Sequence, residues 1–329
     1  MHLLIVTPAP QGSRKGNRIT ADRWGRMLRS LGHRVDLTES FEEQRCDALI
    51  ALHAKKIAAS VYRFRRERPD APLIVVLTGT DLYHDLAVNK AAQRSIELAD
   101  RLVVLQRHAV GDLPPAVRSK THVIVQSAVA PKQRPSPLGN VLEVCVVGHL
   151  RTVKDPLRTA MAVRCLPPES RIVVTHLGAA LSPSMEQRAR DEMARNTRYR
   201  WRGDLPHATA IRLLARSRVL VNSSKLEGGA NAICEALACG VPVLSSRIAG
   251  SIGLLGENYP GYFEVGDTVG LSSLLLQFET DPTFRAELSS ACRRLAPQVT
   301  PARELVAWRK MLGGLSHPAS SRGSEKDRA

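Results

Sequence analysis

Short runs of β-branched and other apolar residues alternate along this chain with longer amphipathic segments, an order that builds parallel sheets covered by helices. In the first part the strand candidates are Leu3–Thr7, Arg34–Leu37, Ala48–Leu52, Leu73–Thr78, Arg101–Leu105 and His122–Gln126. Thr20–Leu31 is the clearest helix between them, with Trp24, Met27, Leu28 and Leu31 on one face and Gly32 as its stop. Residues 131–140 break the pattern with three prolines, Gly139 and no periodicity, and read as a linker. The alternation then restarts with Leu142–Val147, Arg171–Thr175, Tyr199–Arg202, Val219–Asn222 and Pro242–Ser245 as strands. Helices are expected near 155–166, 184–197, 206–216, 229–239, 268–279, 282–295 and 301–313.

The chain has 329 residues, more than one core of about 250–300 residues usually accommodates. The expected fold class is therefore α/β with two doubly wound, Rossmann-like domains, 1–135 and 136–300, facing each other across a cleft at the carboxyl ends of both sheets. A helix over 301–314 is expected to cross back to the first domain, and 315–329, with its Ser320-Ser321-Arg322-Gly323-Ser324 stretch, to be a disordered tail.

Composition narrows the functional classes. Met1–Pro8 is apolar, but it lacks a basic leader and a small-residue cleavage site, so it reads as a first buried strand. No apolar run reaches the roughly 18 residues of a membrane span. The six cysteines are scattered without a C-x-x-C pair, which indicates neither a zinc site nor a disulfide framework and fits a reduced, cytoplasmic compartment. Lys and Arg number 47 against 31 Asp and Glu, an excess that attracts polyanions of any kind. Aromatics are only 4% and no nucleic-acid module is present, so phosphorylated small molecules fit this charge better than dedicated nucleic-acid binding.

The segment Glu227-Gly228-Gly229-Ala230-Asn231-Ala232-Ile233-Cys234-Glu235 follows a strand and opens a helix. Gly228 and Gly229 let the backbone approach a ligand closely. The amides at the start of the helix favour a phosphate. Read blandly, this is a glycine turn with two solvated glutamates. Residues 236–245 are nearly all apolar or small, however, so a carboxylate within that helix needs a partner, which ribose hydroxyls would supply.

Glu227 and Glu235 at this spacing, with Gly228, Gly229 and Asn231 between them and Gly240-Val241-Pro242-Val243 beyond, resemble the donor signature of family 4 glycosyltransferases of the GT-B type. The resemblance implies that Glu227 meets the donor hexose, Glu235 holds the ribose, and the amides from Gly228 through Ala230 to Asn231 bind the diphosphate and sugar. A second match, Val147 to Asp155, resembles the family's Gly-Arg-Leu…Lys loop, whose two cations grip the diphosphate. Gly148 and Lys154 fit it, His149 stands where arginine is usual, and Arg151 is the candidate second cation. Read alone, Lys154 is either a point charge on a phosphate or a solvated loop lysine.

In the first half, Gly12 to Thr20 joins a strand to a helix with Arg14, Lys15 and Arg18 near the helix start. It is either an anion cradle or a flexible basic loop, and it lacks the Walker ending. Thr78 to Asp85 sits at a carboxyl strand end, where Asp81 is either a general base or a cap of the following helix. Gln106 and Gln126-Ser127 also follow strands. Gly16-Asn17-Arg18-Ile19-Thr20-Ala21 with Trp24, Leu77 to Tyr83, and Gln126-Ser127-Ala128 together resemble the selenosugar synthases of selenoneine biosynthesis, although Pro10 lies further upstream than that pattern has it.

This branch implies attack of selenophosphate on C1 of UDP-N-acetylglucosamine or UDP-glucose, with inversion to a 1-seleno-β-sugar. It implies Gly16, Asn17, Arg18, Thr20, Thr80, Asp81, Tyr83 and Gln106 around the anionic acceptor, and Asp81, Arg18 and Lys154 as the catalytic set. It also implies no cofactor and no metal. Ordinary O- or S-glycosyl transfer is the alternative within enzymes, and a nucleic-acid-binding protein on the same scaffold is the alternative outside them.

Overall fold

The computed structural model describes residues 1–315. Two compact units are present. The first comprises residues 1–103, 114–122 and those from 305 onward; the second comprises 104–113 and 123–304. The expected boundary at 135/136 therefore shifts: residues 104–113 and 123–135 group with the second unit, and the other division falls inside the helix Pro301–Leu312. Of the tail expected at 315–329, all but residue 315 lies outside the described residues.

The first unit is built on β1 (His2–Val6), β2 (Arg34–Thr38), β3 (Ala48–Leu52), β4 (Leu73–Leu77), β5 (Arg101–Val104) and β6 (Thr121–Val123), in the order β2-β1-β3-β4-β5-β6. β1 runs parallel to β2 and β3, with Leu3 opposite both Val35 and Ala48. Every residue of β3 and β4 is buried, as in parallel strands covered on both faces. Trp24 of the helix Gly16–Ser30 packs edge-on against Trp308 of the C-terminal helix, ring centroids 4.8 Å apart and both fully buried. The first helix begins four residues before the expected Thr20, so Gly16, Asn17 and Arg18 form its first turn rather than a preceding loop.

The second unit contains β7 (Leu142–Val147), β8 (Ile172–Leu177), β9 (Tyr199–Trp201), β10 (Val219–Asn222), β11 (Val243–Ser246) and β12 (Tyr262–Phe263). Their order is β12-β11-β10-β7-β8-β9 and all neighbours are parallel. Val144, Val174, Leu220 and Leu244, one from each central strand, are fully buried. Local signals set the helix starts. Ser182 accepts from the Met185 amide before Pro183–Arg195, and Asp281 accepts from the Thr283 amide at 2.8 Å before Pro282–Leu295, with proline leading both helices. Among the described residues no helix is long and apolar enough to cross a membrane.

Candidate active site

Both sheets reverse their strand order at one point, between β1 and β3 in the first and between β7 and β10 in the second. Open parallel sheets bind ligands at the carboxyl ends of the strands flanking such a point. In the second unit those ends carry the two sequence motifs, 148–155 after β7 and 223–235 after β10.

The two loops are tied together. The Lys225 amide donates to the Val153 carbonyl at 2.9 Å, and the Ser223 hydroxyl donates to the carbonyls of Asp155 (3.0 Å) and Lys154 (3.3 Å). Asp155 turns the chain in a left-handed conformation, φ 43°. These contacts bring the Lys154 ammonium onto the Glu227 carboxylate. The Ser224 hydroxyl donates to the same oxygen at 2.6 Å. Both charges are largely covered, with side chains 26% and 11% exposed, where an ion pair counts for more than on open surface.

Close backbone packing fixes this arrangement. A Cβ built at Gly250, in the helix Ala249–Leu255, would lie 2.2 Å from the Glu227 carbonyl oxygen. One at Gly229 would lie 2.5 Å from the Leu105 Cβ. Beneath Gly148 stands His176, fully buried, whose Nε2 donates to the Gly148 carbonyl (3.0 Å) while its Nδ1 accepts from the Tyr199 hydroxyl (2.8 Å). Burial lowers the His176 pKa to about 4, so the ring is neutral near pH 7 and serves as a spacer under the glycine loop.

The helix Asn231–Ala238 starts directly after Gly228-Gly229-Ala230, and no side chain caps it. Glu235 is not left waiting for a ligand: the exposed His207 ring lies 2.8 Å from its Oε1. A histidine thus partners the carboxylate that was expected to meet ribose. At the position where the resembled family usually has arginine, the Nδ1 of His149 accepts from the Ala179 amide at 3.0 Å, which ties the ring to the backbone. Arg151 is exposed. A lysine, two carboxylates and an uncapped helix start around one switch point can hold a diphosphate flanked by hydroxyl-rich groups.

In the first unit the strands beside the switch point lead into Gly12–Thr20 and to His53. Arg14, Lys15 and Gly16 are exposed and Asn17 is half-buried. Arg18 departs from the expected exposed cradle: with Thr20 it is buried on the helix, its Nε 3.0 Å from the Asp22 carboxylate in an ion pair whose N–H is not directed at the oxygen. Asp81 does not cap the following helix. Fully buried, its carboxylate accepts from the amides of Thr78 (2.9 Å), Gly79 (2.8 Å) and Ala54 (3.0 Å). It thereby pins the turn after β4 to the turn after β3. Tyr83 is half-buried beside it.

His53, which the sequence reading did not single out, is buried in a left-handed conformation (φ 81°), its Nε2 3.1 Å from the Thr80 hydroxyl. Burial lowers its pKa, against the opposing pull of Asp81. A polar residue immediately after a fully apolar strand was the signal available. Gln106 belongs to the second unit, buried with its Oε1 accepting from the Ala109 amide and packed against Gly253. Gln126 is buried as well, and Ser127 donates to Glu304 through both its amide (2.8 Å) and its hydroxyl (2.5 Å).

Two Rossmann-like units with these loops at the switch point of the second define the GT-B architecture. Residues 132–295, just under half of the chain, match the family described as glycosyl transferases group 1. The structure resembles that of HepE from Anabaena in complex with UDP, with a TM-score of 0.76 at 16% identity over 95% of this chain and 99% of the other. It resembles sucrose-phosphate synthase from Thermosynechococcus elongatus with a TM-score of 0.72 at 15% identity, over 94% and 97%. In sequence, the glycosyltransferase 1 domain-containing protein 1 of Xenopus tropicalis is 23% identical over 85% of this chain and 88% of its own. The N-acetyl-alpha-D-glucosaminyl L-malate synthase of Bacillus anthracis is 32% identical over 29% of this chain and 25% of its own.

Proposed function

We propose that this chain transfers the hexosyl group of UDP-N-acetylglucosamine or UDP-glucose to selenophosphate. The donor half of the reading is carried by the Lys154–Glu227 pair at the carboxyl ends of β7 and β10. It is supported by a similar fold solved with UDP-glucose, that of HepE, and by a partial relative named for an N-acetylglucosaminyl product. Lys154 and the helix amides at Gly229–Asn231 take the diphosphate, Arg151 adds the second cation, Glu227 meets the hexose and Glu235 the ribose.

The acceptor half rests on the resemblance of Gly16–Ala21, Leu77–Tyr83 and Gln126–Ala128 to selenosugar synthases. The selenium of selenophosphate attacks C1 as the C1–O bond to UDP breaks. UDP leaves with its developing charge balanced by Lys154, and later hydrolysis of the Se–P bond gives the 1-seleno-β-sugar. The nucleophile arrives anionic, so the step needs no proton removed, which suits an Asp81 carboxylate already engaged by three backbone amides. Charge stabilisation at the leaving diphosphate is what the protein contributes, from Lys154 and the helix amides, without a metal.

A second reading, O-transfer to a small hydroxy acid, is favoured by the malate-synthase relative over its 96 residues. Incubating the protein with each UDP-sugar and either selenophosphate or malate, and following UDP and the sugar product by mass spectrometry, separates the two. UDP and a selenium-containing sugar with selenophosphate are the expected result. UDP release with malate alone replaces it with the second reading.

A further inference from the structure

At the opposite edge of the second sheet, where β7, β8, β10 and β11 begin, an open basin of about 670 Å³ is lined by five arginines, Arg134, Arg171, Arg218, Arg285 and Arg293. Its one acidic residue is Glu279. We propose that this basin is a second anion site, separate from the donor loops, and that it binds a short oligophosphate, either free or as the triphosphate tail of a nucleotide.

Five arginines lining one concavity concentrate positive potential there, which favours an anion. Two are braced by the protein. Arg134 donates from Nε to the Ala215 carbonyl at 3.0 Å, and Arg285 donates to the carbonyls of Phe278 (2.9 Å) and Glu279 (2.7 Å). The other three guanidinium groups, of Arg171, Arg218 and Arg293, take part in no hydrogen bond or ion pair among the described residues. Glu279, whose Oε1 accepts from the Arg171 amide at 2.7 Å and whose buried Oε2 has no hydrogen-bond partner, offsets at most one of the five charges. Arg216, close by in sequence, is by contrast paired with the buried Glu143 at 2.6 Å.

The ligand class follows from shape and charge. The volume suits a small molecule rather than a duplex, and forked guanidinium donors match the terminal and bridging oxygens of linked phosphates. Single-stranded nucleic acid is disfavoured, because the one aromatic of the lining, Phe278, is buried and offers no stacking face. The donor motifs lie at the other ends of β7 and β10, so occupancy here does not compete with UDP.

The test is calorimetric titration of the full chain with inorganic tripolyphosphate, ATP and AMP, each with and without saturating UDP. Tripolyphosphate and ATP are expected to bind at one site per chain whether or not UDP is present, and AMP much more weakly. Equal affinities for tripolyphosphate and ATP assign recognition to the phosphates alone, and tighter ATP adds a nucleoside contribution. Arg218→Ala with Arg293→Ala is expected to weaken both by about tenfold or more and to leave UDP affinity unchanged; both side chains are exposed, so the fold tolerates their loss. Competition by UDP, AMP binding as tightly as ATP, or full affinity in the double variant each overturns the proposal. The arms without UDP keep it testable should the donor reading itself fail.

Discussion

The Lys154 ammonium and the Glu227 carboxylate close an ion pair between loops 73 positions apart in sequence. The Ser224 hydroxyl donates to the same carboxylate oxygen, so Glu227 is held on two sides. A diphosphate entering this site competes with Glu227 for the lysine. On the proposed donor role, binding turns the ammonium toward phosphate and frees the carboxylate for sugar hydroxyls. Lys154→Ala is expected to lower kcat/KM for the UDP-sugar by about 10²–10³-fold, the cost of removing one preorganised cation from a developing charge. Steady-state kinetics checks it, and a loss below about threefold would remove Lys154 from the diphosphate role.

Glu235 and His207 separate a ligand contact from a surface ion pair. His207 is 61% exposed, and pairs of that kind contribute about 0–1 kcal/mol. Glu235→Ala should weaken UDP binding by about 1–3 kcal/mol through loss of a charged hydrogen bond to ribose. His207→Ala should leave it within about threefold, or tighten it, since the carboxylate no longer has to be released. Equal losses in both variants, measured by titration with UDP, would mean that the pair acts as a structural clamp.

His176 makes the glycine loop acid-sensitive. Burial lowers its pKa to about 4 in the fold, against an ordinary 6.5. Between those values the unfolded chain binds a proton that the native one refuses. Its contribution is therefore fully present above pH 6.5 and is lost as pH falls toward 4, by an amount on the order of 3 kcal/mol. Urea unfolding at pH 7 and pH 4.5 should show a smaller pH dependence in His176→Gln than in the parent protein. Identical dependence would place the titrating group elsewhere.

Much of this architecture was legible because a doubly covered strand needs an apolar run of its own. Ala48–Leu52, Leu142–Val147 and Val219–Asn222 have the bounds expected of them. The helix Ala249–Leu255 and the strand Tyr262–Phe263 were not legible: they are short, and Gly250, Gly253, Gly256 and Gly261 make that stretch read as loop. Those glycines instead admit close packing, at Gly250 against Glu227 and at Gly253 against Gln106. The donor motifs were legible as local patterns, whereas partners distant in sequence were not. That Arg18 faces Asp22 and is buried depends on a helix start four residues earlier than expected. That Asp81 is engaged by Ala54 depends on strand order, which composition does not encode.

Asp81 accepts three backbone amides, so its replacement tests structure before catalysis. Asn keeps the shape but places an NH₂ group against at least one of those N–H donors in either orientation. Asp81→Asn should cost about 2–3 kcal/mol and lower Tm by several degrees. A variant with unchanged Tm and reduced kcat would restore the general-base reading.

Gly250→Ala asks whether the donor grip depends on backbone position. The added methyl would meet the Glu227 carbonyl oxygen at 2.2 Å, and that atom can retreat only if the loop carrying Ser224 and Glu227 moves with it. Moving the loop pulls Glu227 away from Lys154, which sits on the other loop. The expected outcome is a stability loss of about 1–3 kcal/mol, typical of overpacking, accompanied by weaker UDP-sugar binding. Gly256→Ala, in the same segment, has no atom within 4 Å of its would-be Cβ but a left-handed φ of 91°, so it should lose stability while binding UDP-sugar normally. If both variants lose donor affinity equally, the effect is general destabilisation of the segment, and the Gly250–Glu227 contact has no special part in holding the donor.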